Sequence, residues 1–197
     1  MKVVICAGIH DLHLTQALIT AFESSFTPLS QLKETGNLLV YSPPYPYLSL
    51  SAVGILQFLH DRLGSPKSAP PLMFLGFSAG VVGALGAAWG WQLMGGKVRA
   101  AIAVDGWGVP LFTNFPCYRL SHDYFTHWSS ALLGESNDSF YADPPVEHLV
   151  LWRSLPTITG WWVHSDESHA QHRTYLTAAE FLSMLLKRHG KEGVASG

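Results

Sequence analysis

The sequence predicts an α/β fold, a three-layer, doubly wound and mostly parallel sheet of about six strands with helices over both faces. Two observations predict it. Short, wholly apolar runs such as Leu72-Met73-Phe74-Leu75 recur along the chain, and a strand buried on both faces needs that continuity. Between these runs lie longer segments with apolar residues at helical spacing, so strand and helix alternate and the strands run parallel through right-handed crossovers.

Residues Lys2 to Ala7 read as the first strand, ending at Gly8-Ile9-His10-Asp11. A helix is expected from about Leu12 to Phe26, with Leu14, Ala17, Leu18, Ala21 and Phe22 on one face. Asn37 to Tyr41 reads as the second strand and Ser42-Pro43-Pro44-Tyr45-Pro46-Tyr47 as a loop, because Pro supplies no N–H to a ladder. Ser49 or Ser51 caps the next helix, which carries Val53, Leu56, Phe58, Leu59 and Leu63 and stops at Gly64-Ser65-Pro66. The run Leu72–Leu75 follows, then an Ala- and Gly-rich helix from Val81 to Leu93 that ends at Gly95-Gly96. Val98–Val104 and Pro116–Ser121 read as strands four and five, halted by Asp105-Gly106 and His122-Asp123, and Ser139–Ala142 as a short sixth. The segment Leu149 to Arg173 shows no clear period. Thr177 caps a last helix with Ala178, Phe181, Leu182, Leu185 and Leu186 inside, Lys187, Arg188 and His189 in its final turn, and Gly190 just beyond. Residues 1–190 are thus expected to form one domain and 191–197 a frayed tail.

Size and charge narrow the field. The chain has 197 residues, enough to bury a core without staples. Its 12 basic and 14 acidic residues leave no footprint for nucleic acid. Cys6 and Cys117 sit in apolar strand-like runs and read as buried thiols, which suits a reducing, cytoplasmic compartment. The apolar run after Met1-Lys2 is too short for a secretory signal. Pro70 to Gly96 lacks any charge and holds Gly76/Gly80 and Gly86/Gly90 at the spacing of packed membrane helices. Pro70-Pro71 and Ser78 interrupt it, and a buried strand followed by a central helix explains it better than an integral membrane span.

Chemistry concentrates at Gly76-Phe77-Ser78-Ala79-Gly80, between the third strand and the helix after it. Small residues two positions either side of a serine allow a sharp turn that lifts its hydroxyl clear of the sheet, with a helix N-terminus behind it. In this setting the chain resembles the α/β-hydrolase superfamily. Nearly the whole chain maps onto that fold, as a minimal version lacking the two leading antiparallel edge strands, although only the elbow is a specific motif.

The resemblance implies a nucleophilic serine, then an acid, then a histidine in chain order. It places the nucleophile at Ser78, the acid at Asp123 after the Pro-led fifth strand, and the base at His148 after the sixth. Asp105 is the rival acid, one strand earlier, and either aspartate also suits a bland role, Asp105 in a turn and Asp123 as a helix cap. His164 and His169 are rival bases because they lie nearer the last helix. The oxyanion would be held by the backbone N–H of Ala79 and by one from Ile9 or His10. His10-Asp11-Leu12-His13 and His169-Ala170-Gln171-His172 lack a zinc-like third ligand, so no metal is implied, and no cofactor is either.

The expected activity is hydrolysis of a small-molecule ester or thioester with an apolar acyl group. The segment 149–173 is expected either as a lid over the acyl pocket or as a loop packed on the sheet edge. The contrasting expectation is a non-catalytic protein of the same fold that binds a ligand or partner and keeps Ser78 only for its turn. The sequence says nothing of oligomeric state.

Overall fold

The computed structural model describes residues 1–10, 12–134, 138–165 and 170–190. Eight strands form one sheet: β1 (Lys2–Cys6), β2 (Leu38–Tyr41), β3 (Leu72–Phe77), β4 (Val98–Val104), β5 (Cys117–Ser121), β6 (Asp138–Ala142), β7 (Thr159–Ser165) and β8 (Gln171–Thr177). Their order across the sheet is β2-β1-β3-β4-β5-β6-β7-β8. The first six are parallel, and β7 and β8 add an antiparallel extension beyond β6.

Among the described residues seven α-helices accompany them: α1 (Leu12–Ser25), α2 (Thr27–Glu34), α3 (Ala52–Leu63), α4 (Gly80–Leu93), α5 (Tyr124–Ala131), α6 (His148–Arg153) and α7 (Ala178–Gly190). The alternation of side chains along each strand divides the core in two. Val3, Ile5, Met73, Leu75 and Ile102 face one layer, where α1, α2, α6 and α7 contribute Ile19, Leu29, Trp152, Phe181 and Leu182. Val4, Cys6, Leu72, Phe74 and Ala101 face the other, against Ile55 and Leu59 of α3 and Ala84, Ala88 and Trp91 of α4. Five of the six parallel strands were legible because they are largely buried on both sides, while β2, at the sheet edge, is only half-buried. Both cysteines are buried thiols.

Helix ends follow their chemistry. Ser51, not Ser49, caps α3 by accepting from Gly54 N–H at 3.0 Å. Thr177 and Glu180 form a reciprocal capping box at the start of α7, with Glu180 N–H donating to Thr177 Oγ1 at 3.1 Å and Thr177 N–H to Glu180 Oε2 at 2.7 Å.

Three expectations need correction. The sheet has eight strands rather than six. The segment 149–173 is neither lid nor packed loop: it opens with α6, then enters β7 and leads to the edge strand β8, with 166–169 outside the described residues. Its strands were hard to read because β8 is an exposed edge built from Gln171, His172, Arg173 and Thr174, which lack the apolar alternation of a half-buried strand. Trp161 belongs to this sheet end: it donates to Asp143 Oδ2 at 2.8 Å and meets Tyr175 edge-on. Residues 27–34, which carry no strong sequence signal, form the additional helix α2. The expected tail 191–197 lies outside the described residues. Among the described residues no helix is long and apolar enough to cross a membrane, and the uncharged stretch 70–96 resolves into β3, a turn and α4.

Candidate functional site

All the candidate side chains that converge do so at the carboxyl edge of the parallel strands, where ligands of open α/β sheets bind. Ser78 sits between the last residue of β3 and the start of α4. Its φ is +53°, in the left-handed region that a residue with a Cβ adopts only when its surroundings impose it. What imposes it is close packing around the turn. A Cβ on Gly76 would lie 2.7 Å from Val81 Cα, and one on Gly80 would lie 2.3 Å from the Ala7 carbonyl oxygen. Both contacts are with backbone, so neither position has room for any other residue. Ser78 N–H is tied to Val104 O at 2.8 Å, which anchors the turn to the neighbouring strand.

Asp105 occupies the equivalent place one strand over, directly after β4, and it also has positive φ, +49°. Its side chain is almost wholly buried. Oδ1 accepts the backbone N–H of His122 at 2.8 Å, and Oδ2 lies 2.8 Å from His148 Nδ1. A third group reaches the same oxygen: His122 Nδ1 stands 3.0 Å from Oδ2, off the hydrogen-bonding direction. Burial alone would raise this carboxyl's pKa, but the contacts from His122 and His148 outweigh it and hold the group below its ordinary value. His122 is correspondingly raised by its contact with Asp105, against partial burial.

His148 is the first residue of α6. The chain reaches it from β6 through Asp143-Pro144-Pro145-Val146-Glu147, with a cis bond before Pro144 and Val146 N–H donating to His122 O at 3.0 Å. Its imidazole stacks on Phe77, ring centroids 4.8 Å apart, and Phe77 in turn packs on buried Trp152 at 4.1 Å. The residue just before Ser78 therefore forms the platform on which the His148 ring lies.

Ser78, Ala79, Asp105, His122 and His148 all line one cleft of about 600 Å³, whose apolar wall comes from Leu50, Val82, Trp107, Val109 and Phe125. The loop after β1 runs against it, since a Cβ on Gly8 would stand 3.0 Å from Ser78 Cβ. Buried Ser49 holds that loop by donating to the Gly8 carbonyl at 3.1 Å. Ile9 and His10 follow in this loop, and Ala79 opens the first turn of α4.

The sequence-expected acid is placed elsewhere. Asp123 caps α5, its Oδ1 accepting Thr126 N–H at 2.6 Å, and it is Asp105 that meets His148. The reason is backbone direction: after β5 the chain turns at once into α5 and draws the Asp123 carboxylate onto that helix's first turn. His164 lies on β7, paired with His172 of β8 and stacked on Trp162, well outside the cleft lining. His169 lies outside the described residues. Sequence reasoning missed two participants, His122 and Ser49. His122 had one signal, its place at the end of a parallel strand beside Asp123. Ser49 had none beyond its location in a Pro-rich loop.

No protein-family model matches this sequence, and no curated protein matches it either.

Proposed function

We propose that the protein is a serine hydrolase of the α/β-hydrolase type that cleaves an ester or thioester of an apolar acyl group, with Ser78 as nucleophile, His148 as base and Asp105, in place of Asp123, as the orienting acid. The observation that carries the reading is the placement of a strained serine at the tip of a strand-turn-helix and a buried Asp–His pair in one cleft. In that role His148 Nδ1–H donates to Asp105, which leaves Nε2 as the basic atom.

Ser78 Oγ attacks the acyl carbonyl carbon while His148 Nε2 takes its proton. Charge developing on the carbonyl oxygen meets the N-terminus of α4 and the backbone N–H of Ala79, with a second donor from Ile9 or His10. The leaving alcohol or thiol departs with the proton from His148, giving an acyl-Ser78 ester. Water then attacks that ester, losing a proton to His148, and the carboxylic acid leaves as Ser78 regains its hydrogen. The wall of Leu50, Val82, Trp107, Val109 and Phe125 suits an apolar acyl chain, and the cleft volume suits a small one.

The test is labelling with a fluorophosphonate, which loses fluoride only to an activated serine, alongside hydrolysis of a short p-nitrophenyl ester. The native chain is expected to do both and Ser78→Ala neither, while melting as a folded protein. Absence of labelling in the native chain would favour the ligand-binding alternative.

A further inference from the structure

We infer that Asp105, His122 and His148 form a binding site for a single transition-metal dication of the zinc type, which occupies the Asp105–His148 pair. Three ligand atoms converge there. Asp105 Oδ2 has His148 Nδ1 at 2.8 Å and His122 Nδ1 at 3.0 Å, and all three lie within 4.8 Å of one another. An ion bound tetrahedrally at roughly 2.1 Å from each would set its ligands about 3.4 Å apart, so small shifts close the site. Two imidazoles and one carboxylate are the donors that borderline ions such as Zn²⁺ and Co²⁺ prefer. Sequence spacing hides the set, because positions 105, 122 and 148 come from segments that follow three different strands.

The second observation is the orientation of His122. Its Nδ1 is buried and has no aligned hydrogen-bond partner, although a carboxylate oxygen is only 3.0 Å away. A buried imidazole nitrogen this close to a carboxylate oxygen, yet misaligned for a hydrogen bond to it, stands where a cation between the two would be held by both. The outer atoms around it fit the same purpose. Asp105 Oδ1 is already fixed by the His122 backbone N–H. The far nitrogen of His122, Nε2, faces the Asp123 carboxylate at 3.7 Å, a carboxylate on the outer side of the ring as metal-bound histidines commonly have. Phe77 stacks on the His148 ring. The fourth coordination position opens on the cleft.

On binding, the ion takes the place of the proton on His148 Nδ1, and the imidazole stays neutral by carrying its proton on Nε2 instead. The site itself does not depend on the hydrolase reading. One consequence does rest on it: with its orienting carboxylate taken by the ion, His148 no longer serves as base, and zinc inhibits hydrolysis until chelated.

The experiment is a titration of the full, chelator-stripped chain with Zn²⁺ by calorimetry and with Co²⁺ by visible absorption. One equivalent is expected to bind at micromolar concentration or tighter, with cobalt d–d bands of a four-coordinate N/O site. Ser78→Ala should bind as tightly as the native chain. His122→Ala and His122→Gln should each bind at least about tenfold more weakly while keeping their thermal melts, the loss expected when a ligand is removed. The proposal is overturned if no stoichiometric binding occurs, if both His122 variants bind like the native chain, or if binding is lost with His172→Ala instead, since His164 and His172 form a cross-strand pair with rings 5.6 Å apart. Zinc binding that needs His122 in a chain showing no esterase activity keeps the site and sinks the hydrolase. Esterase activity without zinc binding does the reverse.

Discussion

Replacing Asp105 with Asn separates the two aspartates that the sequence offered as the acid. The carboxylate accepts from both sides, His122 N–H on Oδ1 and the His148 ring on Oδ2, within a buried setting. An Asn can keep only one of these. Its Oδ1 can go on accepting the His122 backbone N–H, but its amide NH₂ then faces His148 and donates where an acceptor stood. His148 answers by shifting its proton to Nε2, and under the proposed mechanism the atom that deprotonates Ser78 is then no longer basic. The same tautomer error in a Ser-His-Asp site costs about 10⁴-fold in turnover, roughly 5 kcal/mol in barrier. Stability should fall by about 1–3 kcal/mol, since a charge-assisted contact in a buried site is lost. The control is Asp123→Asn, which keeps a capping oxygen for Thr126 N–H and should change stability by less than about 0.5 kcal/mol and turnover by less than about threefold. The assay is p-nitrophenyl ester turnover, with thermal melting to confirm folding. Asp105→Asn retaining more than about a tenth of native turnover, or Asp123→Asn losing most of it, would refute the reasoning.

Further expectations concern the frame of the site. Gly80→Ala should destabilise by about 3–5 kcal/mol or abolish folding, because its Cβ would meet the Ala7 and Cys6 carbonyl oxygens at 2.3 and 2.5 Å and neither backbone can retreat; a melt within a few degrees of native would show the turn to be looser than this. Ser78→Gly should remove labelling yet raise stability by about 1 kcal/mol relative to Ser78→Ala, since glycine accepts φ +53° without strain, and denaturant midpoints compare the two. His127 should make stability depend on pH. Burial, helped by Arg173 and Arg119, pushes its pKa down to about 4 from an ordinary 6.5, so the unfolded chain binds the extra proton between those values. Stability therefore falls as pH drops from 6.5 towards 4, at up to about 1.4 kcal/mol per pH unit, and levels off below. His127→Gln should flatten that slope in urea titrations across the window, and an unchanged slope would assign it to another group.

What the sequence determined by itself was whatever local chemistry dictates. Lys2 to Ala7, Leu72 to Leu75 and Val98 to Val104 read as buried strands from their short apolar runs closed by turn residues, and each forms a strand at the heart of the sheet. Gly76 and Gly80 around Ser78 announced a turn too tight for a Cβ, and the positive φ of Ser78 is the consequence. Thr177 announced the last helix, and the basic residues of its final turn with Gly190 beyond announced its end. The tertiary structure alone decided which polar groups meet. Asp105 and Asp123 each end a parallel strand and look alike in sequence, but one is buried between two imidazoles while the other turns onto the first turn of α5. The convergence of His122 and His148 on one carboxylate oxygen depends on β4, β5 and β6 lying side by side, a long-range pairing that no local pattern encodes. The hairpin of β7 and β8 was hidden for a related reason. Its outer strand is held by backbone hydrogen bonds to one neighbour and carries polar side chains into solvent, so its conformation is set by the partner strand and not by its own residues.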